Sequence, residues 1–331
     1  MYTETQLNSV IHGDAVDILS KYEDDFVDLV VTSPPYDGIR DYEGYVFEPN
    51  KMIKQLYRVL KPGGVVVWVV GDETVDGSET GSSFKQALAF LDIGFKLHDT
   101  MIYAKNSSAF PARASGNRYS NVFEYMFVFS KGKPKTANLI CDKRNRWAGW
   151  TSWGTKSNRD RQGNLVRKSR EKPTPQYSPR NNIWYYSAGE GNSYTDDLAK
   201  KHPAPFPELL VRDHILTWTN EGDVVLDPMC GSGTTLKVAN NMGRRWLGID
   251  VGKSYCEVAI KRAYLPMGAP STIDIVQRDP EEEITVDATF EGTELRFKLP
   301  RADWDAIVHS VLKPYGASKP MGKRRKKAKK N

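Results

Sequence analysis

Residues 224–235 (VVLDPMCGSGTT) constrain the fold of this chain more than any other stretch. An apolar run leads straight into a glycine turn and then a helix start. Glycines at positions 231 and 233 permit a tight turn and let a ligand approach the backbone, while the first turn of the following helix presents amides with no intrahelical partner. A second apolar run, residues 246–250, ends in Asp250, 23 positions after Asp227. At that interval the next strand of a βαβ unit brings a carboxylate to ribose hydroxyls. Position 236 is leucine where a dinucleotide fingerprint has its third glycine, and no Walker lysine follows the loop. The pattern suits a nucleoside-bearing cofactor better than a bare phosphate. Asp227, Pro228, Gly231, Ser232, Gly233, Thr234 and Asp250 are therefore the candidate cofactor residues.

The flanking sequence repeats the strand and helix alternation. Residues 26–32 (FVDLVVT) form a short apolar run that stops at Ser33-Pro34-Pro35, where two prolines remove backbone donors. Residues 50–60 set Met52, Ile53, Leu56, Tyr57 and Leu60 at helical spacing, and Pro62-Gly63-Gly64 is expected to end that helix. Residues 65–70 (VVVWVV) are apolar at every position, as in a strand covered on both faces. A helix around 84–91 and strands near 97–103 and 122–129 follow. After residue 180 come a helix near 206–218, the strand 224–227, a helix from about 233, the strand 246–250 and a helix over 254–263. This rhythm predicts an α/β layered domain with a largely parallel sheet.

Between residues 132 and 180 the rhythm disappears, so that stretch reads as an insertion within one domain. Past residue 266 a polar linker leads to alternating runs at 284–290 and 293–299 around Glu291-Gly292, a hairpin signal, and a short helix over 302–312 follows. The expected organisation is 1–131 and 181–265 as two halves of one domain, 132–180 as the insertion, 266–317 as a small α+β module and 318–331 as a disordered tail.

Charge is divided along the same lines. The 331 residues carry a formal net charge of +6. Residues 131–180 hold 14 Lys/Arg against 3 Asp/Glu, and residues 318–331 hold 8 Lys/Arg and no acid, so +11 and +8 sit there and the remainder carries −13. An acidic body with two basic segments is an electrostatic footprint for a polyanion, most simply nucleic acid. Three widely separated cysteines, Cys141, Cys230 and Cys256, suggest neither a disulfide framework nor a zinc cluster, and no metal site is expected. No apolar run of about 18 residues occurs, and residues 1–8 lack a charged segment followed by an apolar one, so neither membrane spanning nor export is expected.

Thr32-Ser33-Pro34-Pro35-Tyr36 lies at the carboxyl end of a core strand, the edge where open α/β sheets bind ligands. Consecutive prolines can hold the Ser33 hydroxyl and the Pro34 carbonyl as preorganised acceptors, and Tyr36 projects from the same rigid turn. Such a set suits a planar base with an exocyclic amine. Acceptors take the amino hydrogens and the phenol ring stacks on the base.

TSPPY, the loop DPMCGSGTT, the following RRWLGID and the preceding HPAPFPELL together resemble S-adenosylmethionine-dependent DNA amino methyltransferases. With the catalytic segment ahead of the cofactor loop, the order resembles the permuted beta group, and the likeness runs from about Ile11 to Ala263. Residues 118–125 (RYSNVFEY), followed by FSKG, are similar to the family's strand beside the target-base pocket. The resemblance implies a permuted Rossmann-like methyltransferase fold, α/β with a doubly wound, mostly parallel sheet, and S-adenosylmethionine as cofactor. It implies Asp14 near the adenine, Phe206 beside the methionine part, Asp250 on the ribose, and residues 132–180 as the target-recognition region. It implies prokaryotic or phage origin, association with the nucleoid and double-stranded DNA as partner, and the sparse cysteines fit a reducing, cytoplasmic setting. A cognate restriction endonuclease, and a monomeric or homodimeric state, stay open.

The implied chemistry is methyl transfer to an amino nitrogen whose lone pair is delocalised into the ring. Ser33, Pro34, Pro35 and Tyr36 are the candidate catalytic residues, acting by orientation and hydrogen bonding on a base flipped out of the duplex. Methylation at cytosine C5 is disfavoured, because none of the cysteines follows a proline; Cys230 reads as a small packing residue. In the family a serine heading the tetrapeptide is associated mainly with cytosine N4, and an aspartate or asparagine mainly with adenine N6. Ser33 therefore favours cytosine, with adenine the second choice. Arg144, Arg146, Lys156, Arg159, Arg161, Arg167 and Lys168 are the candidate DNA contacts, to phosphates before bases. Trp147 and Trp150 are expected to form a small core for the insertion. A nicotinamide-dependent oxidoreductase would account for the glycines and Asp250 but not for Ser-Pro-Pro-Tyr or the basic insertion. A non-catalytic DNA-binding protein is countered by the intact motifs, and an RNA substrate is compatible with the charge.

Overall fold

The computed structural model describes residues 6–35, 47–105, 118–151, 158–166, 173–186, 196–201, 207–267, 284–290 and 293–299. Its chain divides into two compact units, Met1–Gly268 and Ala269–Asn331. In the first unit the strands of one sheet are β1 (Ser9–His12), β2 (Val27–Thr32), β3 (Leu60–Val70), β4 (Lys96–Lys105), β5 (Phe123–Ser130), β6 (Ile183–Tyr186), β7 (Val224–Asp227) and β8 (Arg245–Asp250). The helices are α1 (Ala15–Leu19), α2 (Pro49–Val59), α3 (Ser82–Ile93), α4 (Glu208–Trp218), α5 (Thr234–Asn241) and α6 (Lys253–Ala263).

These eight strands lie in the order β1-β8-β7-β2-β3-β5-β4-β6. All neighbours are parallel except at β5, which runs antiparallel to both β3 and β4. The expected mostly parallel α/β sheet is present. One apolar layer joins α4, α5 and α6 to a face of the sheet through Leu210, Ile215, Leu236 and Ala259. A second joins α1, α2 and α3 to the opposite face through Leu19, Ile53, Leu56 and Phe90. Helices on both faces explain why the central strands read as unbroken apolar runs. Val27, Leu29, Val30 and Val31 of β2 and Val66 to Val69 of β3 are wholly buried.

The winding direction reverses between β2 and β7. From β2 the chain passes through α2 to β3 on one side, and from β7 it passes through α5 to β8 on the other. The carboxyl ends of these two strands flank the crevice that such a reversal opens. Both motifs singled out from the sequence leave the sheet there.

One boundary differs from expectation. Helix α2 ends at Val59, and Pro62-Gly63-Gly64 lies inside β3 rather than forming a break after the helix. Leu60 pairs with Val27, and the register then shifts before Val65 pairs with Leu29. Gly63 absorbs the irregularity at φ 81°, its amide donating to the Lys131 carbonyl at 2.6 Å.

Among its described residues the inserted stretch carries short ribbons, Lys143–Arg144 with Tyr177–Ser178 and Asn158–Arg159 with Leu165–Val166. Its two ends meet where the Arg180 amide donates to the Ile140 carbonyl at 2.9 Å. Both ends are fastened to α4, the Asn138 amide on the Thr217 carbonyl at 2.8 Å and the Arg180 guanidinium on Asp213 at 2.7 Å. In the second unit Ile284–Phe290 and Thr293–Leu299 form the expected antiparallel hairpin, Phe290 opposite Thr293. The helix expected over 302–312 and the basic tail lie outside the described residues.

Candidate functional site

Strand β7 ends in Asp227, and its loop begins with buried Pro228. Backbone bonds shape the turn: the Cys230 amide donates to the Ile249 carbonyl at 2.9 Å and the Gly233 amide to the Cys230 carbonyl at 2.7 Å. Gly231 and Gly233 hold left-handed conformations, φ 48° and 79°. Their reasons for being glycine differ. A Cβ on Gly233 would lie 2.8 Å from the Ala259 backbone, so this position serves the packing of α6 against the loop. Gly231 donates its amide to Asp250 Oδ2 at 2.8 Å, which couples the turn to the end of β8.

Asp250 is held from both sides, since Gly252 donates to its Oδ1 at 2.8 Å. Burial pushes its carboxyl above the ordinary range, against the pull of those two amides and of nearby His12. Each oxygen accepts one amide and keeps a second acceptor direction. A part-exposed carboxylate fixed in this way at a strand end matches two neighbouring hydroxyls, so the residues present fit a ribose. β1 runs beside β8, and the Gly13 amide donates to the Asp250 carbonyl at 2.9 Å. That contact brings Asp14 next to the same strand end, where its Oδ1 caps α1 by accepting from Val16 at 2.7 Å and Asp17 at 3.2 Å.

Asp227 faces inward. Its Oδ1 accepts from the Thr32 hydroxyl at 2.8 Å and from the Met229 amide at 3.2 Å. Burial raises its carboxyl to about 6, and hydrogen bonds from Thr235, Thr32 and Met229 limit the rise. Thr235 also donates to the Val31 carbonyl at 3.3 Å. Thr32 and Val31 close β2 immediately before Ser33, so the end of β2 and the loop that follows β7 are bolted together. Pro34 is buried there, with Ser33 and Pro35 partly exposed at the crevice. Tyr36 and Phe206 lie outside the described residues.

Ser232 and Thr234 are also turned inward, and the partner is one that sequence reading missed. Arg262 of α6, wholly buried, donates to the Ser232 carbonyl and hydroxyl at 2.8 and 2.9 Å and to the Thr234 hydroxyl at 3.1 Å. A charged residue in an amphipathic helix reads as a surface group, and nothing local marks Arg262 otherwise. Cys230 is buried with its thiol pushed well up by desolvation, as suits a packing residue.

On the insertion, Arg144, Arg146 and Arg161 are exposed. Arg159 lies in a described ribbon without a described side chain, and Lys156, Arg167 and Lys168 lie outside the described residues. Trp147 and Trp150 do not form a core. They are 46% and 50% exposed and meet each other edge to face at 5.7 Å, with the Arg146 guanidinium 5.4 Å from the Trp147 ring. Among the described residues of the insertion the ribbons are two residues long and lay no second layer over them. Among the described residues no group of acidic, histidine or cysteine side chains could hold a metal ion, and no helix is long and apolar enough to cross a membrane.

Comparison with known proteins agrees with this geometry. A family model described as a DNA methylase, of the N6 and N4 type, matches residues 27–261. The orphan methyltransferase M.BamHII of Bacillus amyloliquefaciens is 51% identical over 236 residues, which is 71% of this chain and 88% of that one. A Thermus thermophilus protein assigned as a DNA modification methylase and solved with S-adenosyl-L-methionine superposes with a TM-score of 0.51 at 26% identity, covering 77% of this chain and 92% of that one. The cytosine-N4-specific PvuII DNA methyltransferase shares the fold, with a TM-score of 0.58 at 21% identity over 78% of this chain and 86% of that one. With the family model spanning most of the sheet and both motif loops, this chain belongs to the S-adenosylmethionine-dependent N6/N4 DNA methylase family.

Proposed function

We propose that this DNA methyltransferase modifies the exocyclic N4 amine of a cytosine flipped out of duplex DNA. The observation that carries the reading is the bolt between Thr32 and Asp227, which fixes the Ser33-Pro34-Pro35 turn against the cofactor loop at the point where the sheet reverses its winding. Asp250 holds the ribose of S-adenosylmethionine, and Asp14 stands by its adenine. The bound cofactor supplies an electrophilic methyl group on a sulfonium centre.

The chain's own residues prepare the acceptor. The Ser33 hydroxyl and the Pro34 carbonyl accept the amino hydrogens, which draws the nitrogen lone pair out of conjugation with the ring. Rigid proline backbone keeps those acceptors from relaxing as the nitrogen changes geometry, so orientation carries most of the rate. The amino nitrogen gains a methyl group and gives up one proton to solvent. No side chain forms a covalent bond to the base. Tyr36 stacks on the flipped ring. Ser33 at the head of the tetrapeptide supports cytosine over adenine. Exposed Arg144, Arg146 and Arg161 with the Trp147/Trp150 pair supply the basic, aromatic surface for the duplex.

DNA incubated with the protein and isotopically labelled S-adenosylmethionine, then digested to nucleosides and analysed by mass spectrometry, tests this directly. N4-methylcytosine is expected. N6-methyladenine alone would overturn the base assignment, and no labelled base would overturn the catalytic reading.

A further inference from the structure

Two cations in the cofactor half of the sheet have no exposed side-chain surface: Lys237 on α5 and Arg262 on α6. Lys237 Nζ lies 2.8 Å from Asp196 Oδ2 and 2.8 Å from Glu208 Oε1. Arg262 Nε donates to both Asp196 oxygens, at 2.9 and 3.1 Å, and Nη2 reaches Glu208 Oε1 at 3.4 Å. Among the described residues, two positive and two negative groups therefore meet inside the protein. Asp196 is pushed up by burial, but the hydrogen bonds from Arg262 and Lys237 outweigh this and hold its carboxyl below the ordinary range.

A buried ion cluster of this kind adds little stability over well-packed apolar residues. What it provides here is geometry. The third arm of the guanidinium, Nη1, is spent on the cofactor loop: the Ser232 carbonyl and hydroxyl and the Thr234 hydroxyl. Ser232 sits between Gly231 and Gly233, both left-handed, where the backbone has most freedom to take other shapes. The opposite side of the same planar fork grips Asp196 and Glu208, which bracket the stretch leading into α4. A lysine could supply the charge but not three fixed directions at once.

We propose that Arg262 is a positioning residue for the methyl-transfer reaction: it sets the shape of the Gly231-Ser232-Gly233 loop and locks that loop to the Asp196–Glu208 pair, so that cofactor affinity depends on a side chain that does not touch the cofactor. This rests on the loop being the S-adenosylmethionine site. It also gives Ser232 and Thr234 a role through their inward hydroxyls, as the loop's handles rather than as ligands.

The test measures S-adenosylmethionine Kd by equilibrium dialysis, KM and kcat for methylation, duplex affinity by gel shift, and melting temperature, in the full chain. Arg262→Lys should raise Kd and KM for S-adenosylmethionine by about tenfold or more, leave kcat within about threefold, and leave duplex affinity unchanged. Ser232→Ala should weaken cofactor binding in the same direction by less, and its effect should largely vanish in the Arg262→Lys background, a coupling that general loss of stability does not produce. A folded Arg262→Lys with Kd within about twofold of wild type, or strictly additive effects of the pair, overturns the proposal. If Arg262→Lys does not fold, Asp196→Asn replaces it; weakened cofactor binding with unchanged duplex affinity supports the proposal, and unchanged cofactor binding overturns it. Wild-type protein that binds no S-adenosylmethionine overturns the cofactor reading itself, and the lock with it.

Discussion

Ser33 and Asp227 are separated by nearly two hundred residues of chain and joined by one hydroxyl, that of Thr32. The two ends of that bridge should respond differently to substitution. In its proposed role Ser33 is an acceptor for the base, so Ser33→Ala should lower methylation by about a hundredfold or more while S-adenosylmethionine affinity stays within about twofold of wild type. Single-turnover kinetics alongside equilibrium dialysis separates the two quantities. Asp227 should reveal itself through pH. Its folded carboxyl titrates at about 6, against ~3.9 in an unfolded chain. The folded state holds that proton more tightly, so the contribution to stability is full below pH ~4 and is lost as pH rises through 6. Asp227→Asn keeps an acceptor for Thr32 and Met229 but cannot ionise. Its stability should gain on wild type between pH 4 and 8, by roughly 2–3 kcal/mol at the upper end; a gap that does not widen with pH would exclude the desolvation account. His214 works with the opposite sign. It is wholly buried, and desolvation holds its imidazole down to about 3, with the Asp213 charge pulling the other way. Its contribution is present above pH ~6.5 and is lost as pH falls towards 3. His214→Phe, which keeps a ring against Trp184, should therefore flatten the acid limb of a stability profile measured by denaturant titration.

At the scale of elements, the unit β7-loop-α5-β8 was legible because everything that specifies it is local. An apolar run, glycines at two left-handed positions and a carboxylate at the next strand end occur within one short stretch of chain. Gly233 shows how the requirement can be read and still be assigned to a partial cause. Its freedom was expected to admit a ligand, whereas the missing side chain makes room for the backbone of α6 at Ala259. Gly233→Ala should cost ~1–2 kcal/mol from the left-handed backbone alone and more from the contact with Ala259, measured as a lowered urea midpoint with unchanged slope. β1 and β6 escaped notice because each is four residues long, and their sequences, SVIH and IWYY, have no period to detect. The start of β3 was obscured because Pro62-Gly63-Gly64 reads locally as a break, while pairing of Leu60 with Val27 decides otherwise. The Arg262 cluster was illegible for a different reason. Its members, Asp196, Glu208, Lys237 and Arg262, are dispersed in sequence, and charged residues on helices are ordinarily exposed. For Trp147 and Trp150 the complementary rule misleads, since large aromatics usually find cover and the described ribbons of the insertion offer none.

For the molecule as a whole, the Ser33 turn and the loop after β7 converge because the sheet reverses its winding between β2 and β7. The alternation of strands and helices is enough to anticipate a mostly parallel α/β sheet, whereas the strand order that produces the reversal is not a local property of the sequence. The distribution of charge adds a prediction of its own. Removing residues 318–331, which carry +8, should weaken duplex binding at low salt, flatten the dependence of affinity on salt and leave the methylated sequence unchanged. A changed sequence would give the tail a part in recognition. The closure of the inserted stretch at Ile140 and Arg180 has a different consequence. Among the described residues the chain departs and returns across the hydrogen bond between Arg180 and Ile140, and Asn138 and Arg180 fasten to α4 on the body side, so residues 141–179 form a cassette. Exchanging that cassette for a turn of about five glycine and asparagine residues shortens the loop by roughly three doublings and lowers the closure entropy by about 2 kcal/mol. The trimmed protein should fold and bind S-adenosylmethionine but methylate no duplex. A cassette from a relative, spliced at the same two residues, should then transplant the relative's choice of site onto this catalytic body.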